Sequence, residues 1–185
     1  MITNTHARRL PVQACEVRRV LELLATPLDP IWPHDRWPAI RLDHGIAVGS
    51  TGGHGTIRYA VEAVDQNQIV FRFTDPHGLQ GEHRFTVQPD GLACLVRHTI
   101  EARVDGRVRI MWLAAIRPLH NALIEELLDN LTRAVGCPVK RPARATAYAR
   151  LLRRLLRVGE SRSGERELRP GDVVQHDVEV VMVGS

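Results

Sequence analysis

The sequence predicts an α+β protein in which a curved antiparallel sheet is covered on one face by a single long helix. Two observations carry this. Between Gly45 and Leu113 apolar and polar residues alternate with a period of two, in runs separated by turn signals such as Pro89-Asp90-Gly91. Then Leu119, Leu123, Ile124, Leu127, Leu128, Leu131 and Val135 recur at helical spacing and form one broad apolar face.

The 185 residues suffice for one well-buried domain and an appendage. A composition of 44% apolar and 25% charged residues excludes wholesale disorder. No run approaches the roughly 18 apolar residues of a membrane span, and Met1 to His6 lacks the cationic start and apolar stretch of a secretory leader. Cys15, Cys94 and Cys137 are far apart, with no CxxC spacing, which predicts reduced thiols and a cytoplasmic location. The net charge of +4 is almost wholly arginine, since Lys140 is the only lysine. The excess is confined to Lys140, Arg141, Arg144, Arg150, Arg153, Arg154 and Arg157. A basic tail of this kind is a poor nucleic-acid signal, and no nucleic-acid partner is expected.

Val12, Val17, Val20, Leu21 and Leu24 predict a short amphipathic helix ending before Pro27. Asp29 to Pro38 carries three prolines and two tryptophans, which predicts an ordered loop or lid packed on the body. In the strands that follow, Ile57, Tyr59 and Val61, then Ile69, Phe71 and Phe73, then His83, Phe85 and Val87, then Cys94, Val96, His98 and Ile100 form the inward rows. Arg58, Arg72, Arg84 and Arg97 with Glu62, Glu82 and Glu101 read as the solvated outer face. Gly49 to Gly55 resembles a phosphate loop but lacks the lysine and the following helix, so it reads as a mobile hairpin loop. Pro118 suits the start of the long helix and Gly136 its C-terminal cap, with Glu125, Glu126, Asp129 and Arg133 on the outer side. Asp105-Gly106 reads as a second hairpin, with either Arg109, Met111 and Leu113 or Val108, Ile110 and Trp112 inward. The expected domains are 1–137, the ligand-binding body, and 138–185, a basic extension. The extension is expected to hold a helix from Ala143 to Val158, a linker and a last strand from Val173 to Val183. That cationic helix packs its leucines on the body, lies on an acidic membrane surface, or forms a homodimer contact.

A two-residue turn at Asp90-Gly91 sets Val87 opposite Cys94, Phe85 opposite Val96 and His83 opposite His98. His120, near the middle of the apolar helix face, points at the same region. Each of the three reads either as a core histidine bonded to a neighbour or as a polar handle in a cavity that moves a proton near neutral pH. Adjacent imidazoles resist double protonation, so one of His83 and His98 stays neutral as a base. Tyr59, Phe71, Phe73, Phe85, Val96, Ile100, His120 and Leu123 line the covered face, as core or as ligand-binding side chains. No HxxxH on a helix and no carboxylate partner accompanies the histidines, and neither metal nor cofactor is expected.

His44-Gly45, Gly55-Thr56-Ile57-Arg58-Tyr59, Phe71-Arg72-Phe73, Gly81-Glu82-His83-Arg84-Phe85, Arg97-His98-Thr99-Ile100 and Ile116-Arg117-Pro118-Leu119-His120 sit in an order of elements that resembles the helix-grip fold of the START-like superfamily. That superfamily includes plant Bet v 1 allergens and bacterial polyketide cyclases and dehydrases. The resemblance covers residues 3–136. It implies a small hydrophobic ligand, a polyketide or a lipid, held under the long helix, and in some members ring closure and dehydration. It carries no universal catalytic signature, so no residue role transfers by position. The expectation is a cofactor-independent cyclase or dehydratase with His83 and His98 as its catalytic pair. A non-catalytic carrier of a lipid or antibiotic, and an interaction module working through residues 138–185, are the alternatives.

Overall fold

Alternating side chains through residues 51–104 build most of a seven-stranded antiparallel sheet, and the computed structural model describes residues 1–155. The strands are β1 (Ile2–Leu10), β2 (Arg41–Leu42), β3 (Thr51–His54), β4 (Ile57–Val64), β5 (Gln68–Asp75), β6 (Leu79–Asp90) and β7 (Ala93–Val104). Their order is β1-β7-β6-β5-β4-β3-β2, so the first strand closes against the last. Helix α1 (Ala14–Leu21) follows β1 and buries Val17 and Leu21. The covered face carries Tyr59, Val61, Ile69, Phe71, Phe85, Val87, Cys94 and Val96, which meet Leu123, Ile124, Leu127, Leu128 and Leu131 of the long helix in one core. On the outer face Arg72 pairs with Glu62, and Arg84 with Glu82 and Glu101, as the alternation predicts.

The β6–β7 hairpin is shifted by two positions from the predicted register. Asp90 pairs with Ala93, Val87 with Val96, Phe85 with His98 and His83 with Ile100. The turn residues are therefore Gly91 and Leu92. A turn at Asp90-Gly91 would need Asp90 in the left-handed region, whereas here the positive φ of 63° falls on Gly91. A shift of two keeps every side chain on its predicted face, because the period of a strand is two.

The expected hairpin at Asp105-Gly106 is instead the start of the long helix. Helix α2 (Gly106–Met111), a π-helical turn (Trp112–Ile116) and helix α3 (Arg117–Ala134) run on without interruption. Val108, Trp112 and Ile116 share one helical stripe, and they pack on Leu79, Ile100 and Ala102 at the far end of the sheet. In a stretch this short the same residues satisfy both periodicities, and the burial of Trp112, only 4% exposed, decides for helix. Arg109 and Leu113 stay exposed. Pro118 thus lies inside a helix. It has no N–H for the carbonyl of Ala114, four residues back, and that oxygen accepts the Tyr148 hydroxyl at 2.5 Å.

The Gly49–Gly55 segment is also more regular than a loop, since Thr51–His54 forms β3. A Cβ on Gly52 would collide with the Arg41 carbonyl oxygen, so a glycine allows β2 to approach.

The outer side of α3 differs most from expectation. Glu126 and Asp129 are buried, not solvated. The 29–38 loop, whose Asp29 accepts backbone N–H bonds from Ile31 and Trp32, lays Trp37 against the helix, and its Nε1 donates to Glu126 Oε2 at 2.9 Å. Residues 138–155 also return along α3. Ala143 N–H donates to Asp129 at 2.6 Å, and a helix α4 spans 147–155. Ala149 is buried, Arg153 lies 3.5 Å from Glu126 and its guanidinium stands over the Trp37 ring. The end of the predicted 143–158 helix and the predicted strand at 173–183 lie outside the described residues. Among the described residues no helix is long and apolar enough to cross a membrane. Trp37→Phe keeps an aromatic ring, though a smaller one, and removes the donor to a buried carboxylate, so it should cost about 1–3 kcal/mol in urea unfolding. An unchanged midpoint would show that the indole N–H contributes nothing.

Candidate functional site

The inward rows of β3 to β7 and the facing side of α3 bring a line of imidazole and aromatic rings together under the long helix. His83 on β6 stacks on Phe71, its direct partner on β5, with centroids 4.7 Å apart and an interplanar angle of 9°. Tyr59 meets the same ring edge-on at 4.8 Å, and Phe73 lies at 5.1 Å. His98 packs edge-on against Phe85 at 4.7 Å and lies tilted against His120 at 5.1 Å. His83 and His98 are diagonal neighbours in the observed register, yet their rings meet: His83 Nδ1 and His98 Nε2 share a hydrogen bond of 3.2 Å. Val96, Ile100 and Leu123, each almost fully buried, close the surroundings. Phe73 and His120 are partly covered.

Burial holds His83, His98 and His120 neutral by pushing their pKa values well below the usual histidine range, and the neighbouring imidazoles add to the effect. His54, whose Nδ1 lies 3.2 Å from the Tyr59 hydroxyl, is lowered to about 4, first by burial and then by Arg58. Burial likewise raises Tyr59. Three ring nitrogens in this cluster are buried with no partner: His83 Nε2, His98 Nδ1 and His120 Nδ1. Among the described residues, no group of three or more His, Cys, Asp or Glu side chains is placed to hold a metal ion.

A neutral pair joined by one hydrogen bond has a fixed inventory. If His83 Nδ1 donates, its Nε2 is a bare acceptor and His98 Nδ1 carries a proton. If His98 Nε2 donates, the roles exchange. In either tautomeric state the two free ends of the pair offer one proton acceptor and one proton donor. At one end of this region Trp112, almost fully buried, stands 6.4 Å from His120. Outside it lies a small pocket of about 120 Å³ lined by Met1, Ile2, Val104, Arg109, Trp112 and Leu113.

A second polar group sits where β1 passes the flank of α3, and the sequence reading did not single it out. Glu125 Oε1 lies 2.7 Å from His6 Nδ1, and Glu125 Oε2 accepts from Arg8 at 3.0 Å. His6 Nε2 lies 3.1 Å from the Oδ1 atoms of both Asn4 and Asn121. Arg8 also donates to Asp129 at 2.7 Å. The signal was present, because Asn4, His6 and Arg8 alternate on β1. They occupy positions where an apolar row would be expected, and that departure is the sequence signal for this polar group.

No family model and no curated protein matches the sequence. Solved structures do. Norcoclaurine synthase from Thalictrum flavum superposes with a TM-score of 0.56 at 15% identity, over 72% of this chain and 86% of that one. The protein XoxI from Bacillus cereus superposes with a TM-score of 0.52 at 12% identity, over 73% and 96%. CalU16 from Micromonospora echinospora gives 0.50 at 13% identity, over 88% and 86%. The chain has the Bet v 1-like helix-grip fold. At these identities the fold is what is shared. The long helix packs against the same face of the sheet that carries the ring cluster. The plant enzyme has been solved with dopamine and hydroxybenzaldehyde bound.

Proposed function

We propose that this protein binds a small hydrophobic molecule between the sheet and the long helix and acts on it as a cofactor-independent cyclase- or dehydratase-like enzyme. The observation that supports this reading is the neutral His83–His98 pair, whose two outer nitrogens, His83 Nε2 and His98 Nδ1, are buried and unpartnered. Such a pair suits enolisation of a polycarbonyl compound. Its bare nitrogen takes a proton from an acidic C–H, while the N–H at the other end hydrogen-bonds the oxygen on which charge develops. The enolate carbon then attacks a second carbonyl of the same chain, forming a C–C bond, and loss of water completes the ring. Tyr59, Phe71, Phe73, Phe85, Val96, Ile100 and Leu123 supply the apolar walls, and His120 a further polar contact. The substrate would enter by displacing Trp112, which covers one end of the cluster. Neutrality near pH 7 keeps the base free, and exclusion of water keeps the enolate from being quenched. The small molecules bound in the similarly folded norcoclaurine synthase support the ligand class in outline.

The test is turnover of a short linear poly-β-ketone to an aromatic product, followed by absorbance. His98→Phe and His83→Phe should each lower the rate about 10²–10⁴-fold with the folded state retained. Full activity in both variants would overturn the assignment. Carriage without reaction is the second reading, favoured by the largely apolar walls around the pair. It predicts that native mass spectrometry finds a bound compound that leaves chemically unchanged.

A further inference from the structure

A groove of about 530 Å³ runs along the other side of α3, between the helix flank and residues 143–148, away from the ring cluster. It exists because the returning chain is tied to the helix at two separated points and its lining side chains between them are short. The Ala143 N–H bond to Asp129 fixes one end, and the Tyr148 hydroxyl on the carbonyl freed by Pro118 fixes the other. Pro118 and Ala122 on one wall, with Ala143 and Ala145 on the other, are too small to close the gap. The volume lies within the roughly 300–1,000 Å³ of small-molecule sites.

The polar groups in the groove are unequally satisfied. Glu125 has both oxygens engaged, by His6 and Arg8, so it presents no bare carboxylate. Asn121 Oδ1 is taken by Asn4 and His6, which leaves its amide N–H groups for a ligand. Thr146 Oγ1 accepts from Ala149 N–H, which leaves its hydroxyl proton. Arg117 and Arg144 line the same groove, and among the described residues neither guanidinium makes a hydrogen bond or an ion pair. Every unused polar group named here is a donor, and two of them are permanent cations whose forked geometry matches a carboxylate or phosphate. Beside them lie Leu113, Pro118 and Ala122, which suit a short apolar body.

We infer that this groove binds a small free amphiphilic anion, a carboxylate or phosphate head on an apolar chain or ring, with Arg117 and Arg144 gripping the head. The inference is independent of the chemistry assigned to the buried histidines.

Titration calorimetry with decanoate and with decyl phosphate tests it on the full chain. One equivalent of at least one anion should bind saturably, and uncharged decanol at least tenfold more weakly. Arg117→Gln and Arg144→Gln should each weaken the anion tenfold or more. Ala122→Phe, which fills the groove from the helix side, should abolish binding while circular dichroism and the unfolding midpoint show a folded protein. Anion binding that survives the arginine changes, or equal binding of decanol, would overturn the site. So would the absence of binding by either free anion. Association with phosphatidylglycerol vesicles without binding of either free anion would assign these cations to a bilayer and overturn it as well.

Discussion

Lowering the pH from about 7.5 to about 5.5 is expected to remove about 5 kcal/mol of folding stability. Four histidines cause it. His54, His83, His98 and His120 are all held below the ordinary histidine value by burial. In the unfolded chain they take up protons as the pH falls through about 6.5, whereas the folded protein does not take them up until far lower. The stability they contribute is therefore complete above about pH 6.5 and is lost as the pH falls, at about 1.4 kcal/mol per unit for each ring. Among the described residues, no carboxylate makes a hydrogen bond or ion pair with any of the four rings. Tyr59, Phe71, Phe73 and Phe85 surround the pair, and Glu125, the carboxylate on His6 beside His120, is already engaged by His6 and Arg8. A loss of about 5 kcal/mol is comparable to the whole stability of many domains. Urea midpoints measured across this range should fall steeply, and His98→Phe should reduce the dependence by one proton. A flat profile would mean that these rings are not kept neutral by burial.

The second large effect is expected at Asp129. This carboxylate, 3% exposed, accepts from Arg8 at 2.7 Å and from the Ala143 N–H at 2.6 Å. It thereby joins β1, α3 and the returning 143–155 segment. Asp129→Ala leaves a partly buried guanidinium without one of its two carboxylates and a backbone N–H without its acceptor, a loss of about 3–5 kcal/mol. The returning segment should detach, so trypsin should cut after Lys140 and Arg144 much faster than in the parent protein. Asp129→Asn keeps an acceptor for Ala143 and should fall between the two. Parent-like midpoints and digestion rates in Asp129→Ala would show that the segment is held elsewhere.

Both effects arise from contacts that one-dimensional patterns reveal only in part. The inward placement of His83, His98 and His120 was legible because faces follow from a period of two in a strand and from helical spacing in α3. Even the wrong register at Asp90-Gly91 moved no side chain across the sheet, since it slipped by two. The row of aromatic residues followed from the same rule. Asp105-Gly106 was misread because a short apolar stretch fits both periods, and only the packing of Trp112 on Ile100 and Ala102 separates them. Glu126 and Asp129 fall on the outer side of the helix, and the pattern shows which face is polar but not whether another segment returns to cover it. For the same reason the Glu125–His6 contact, between residues 119 positions apart, was invisible.

By itself, then, the sequence determined the fold class and which side chains share the covered face. Those properties depend on residues a few positions apart, through backbone geometry that every strand and helix obeys. Only the tertiary structure decided the register in which the two histidines meet, that Trp112 packs on Ile100 and Ala102, and that residues 138–155 fold back to make a groove with unused donors. Those properties depend on where distant segments meet, which is set by the packing of the whole described chain and leaves no periodic trace in the sequence.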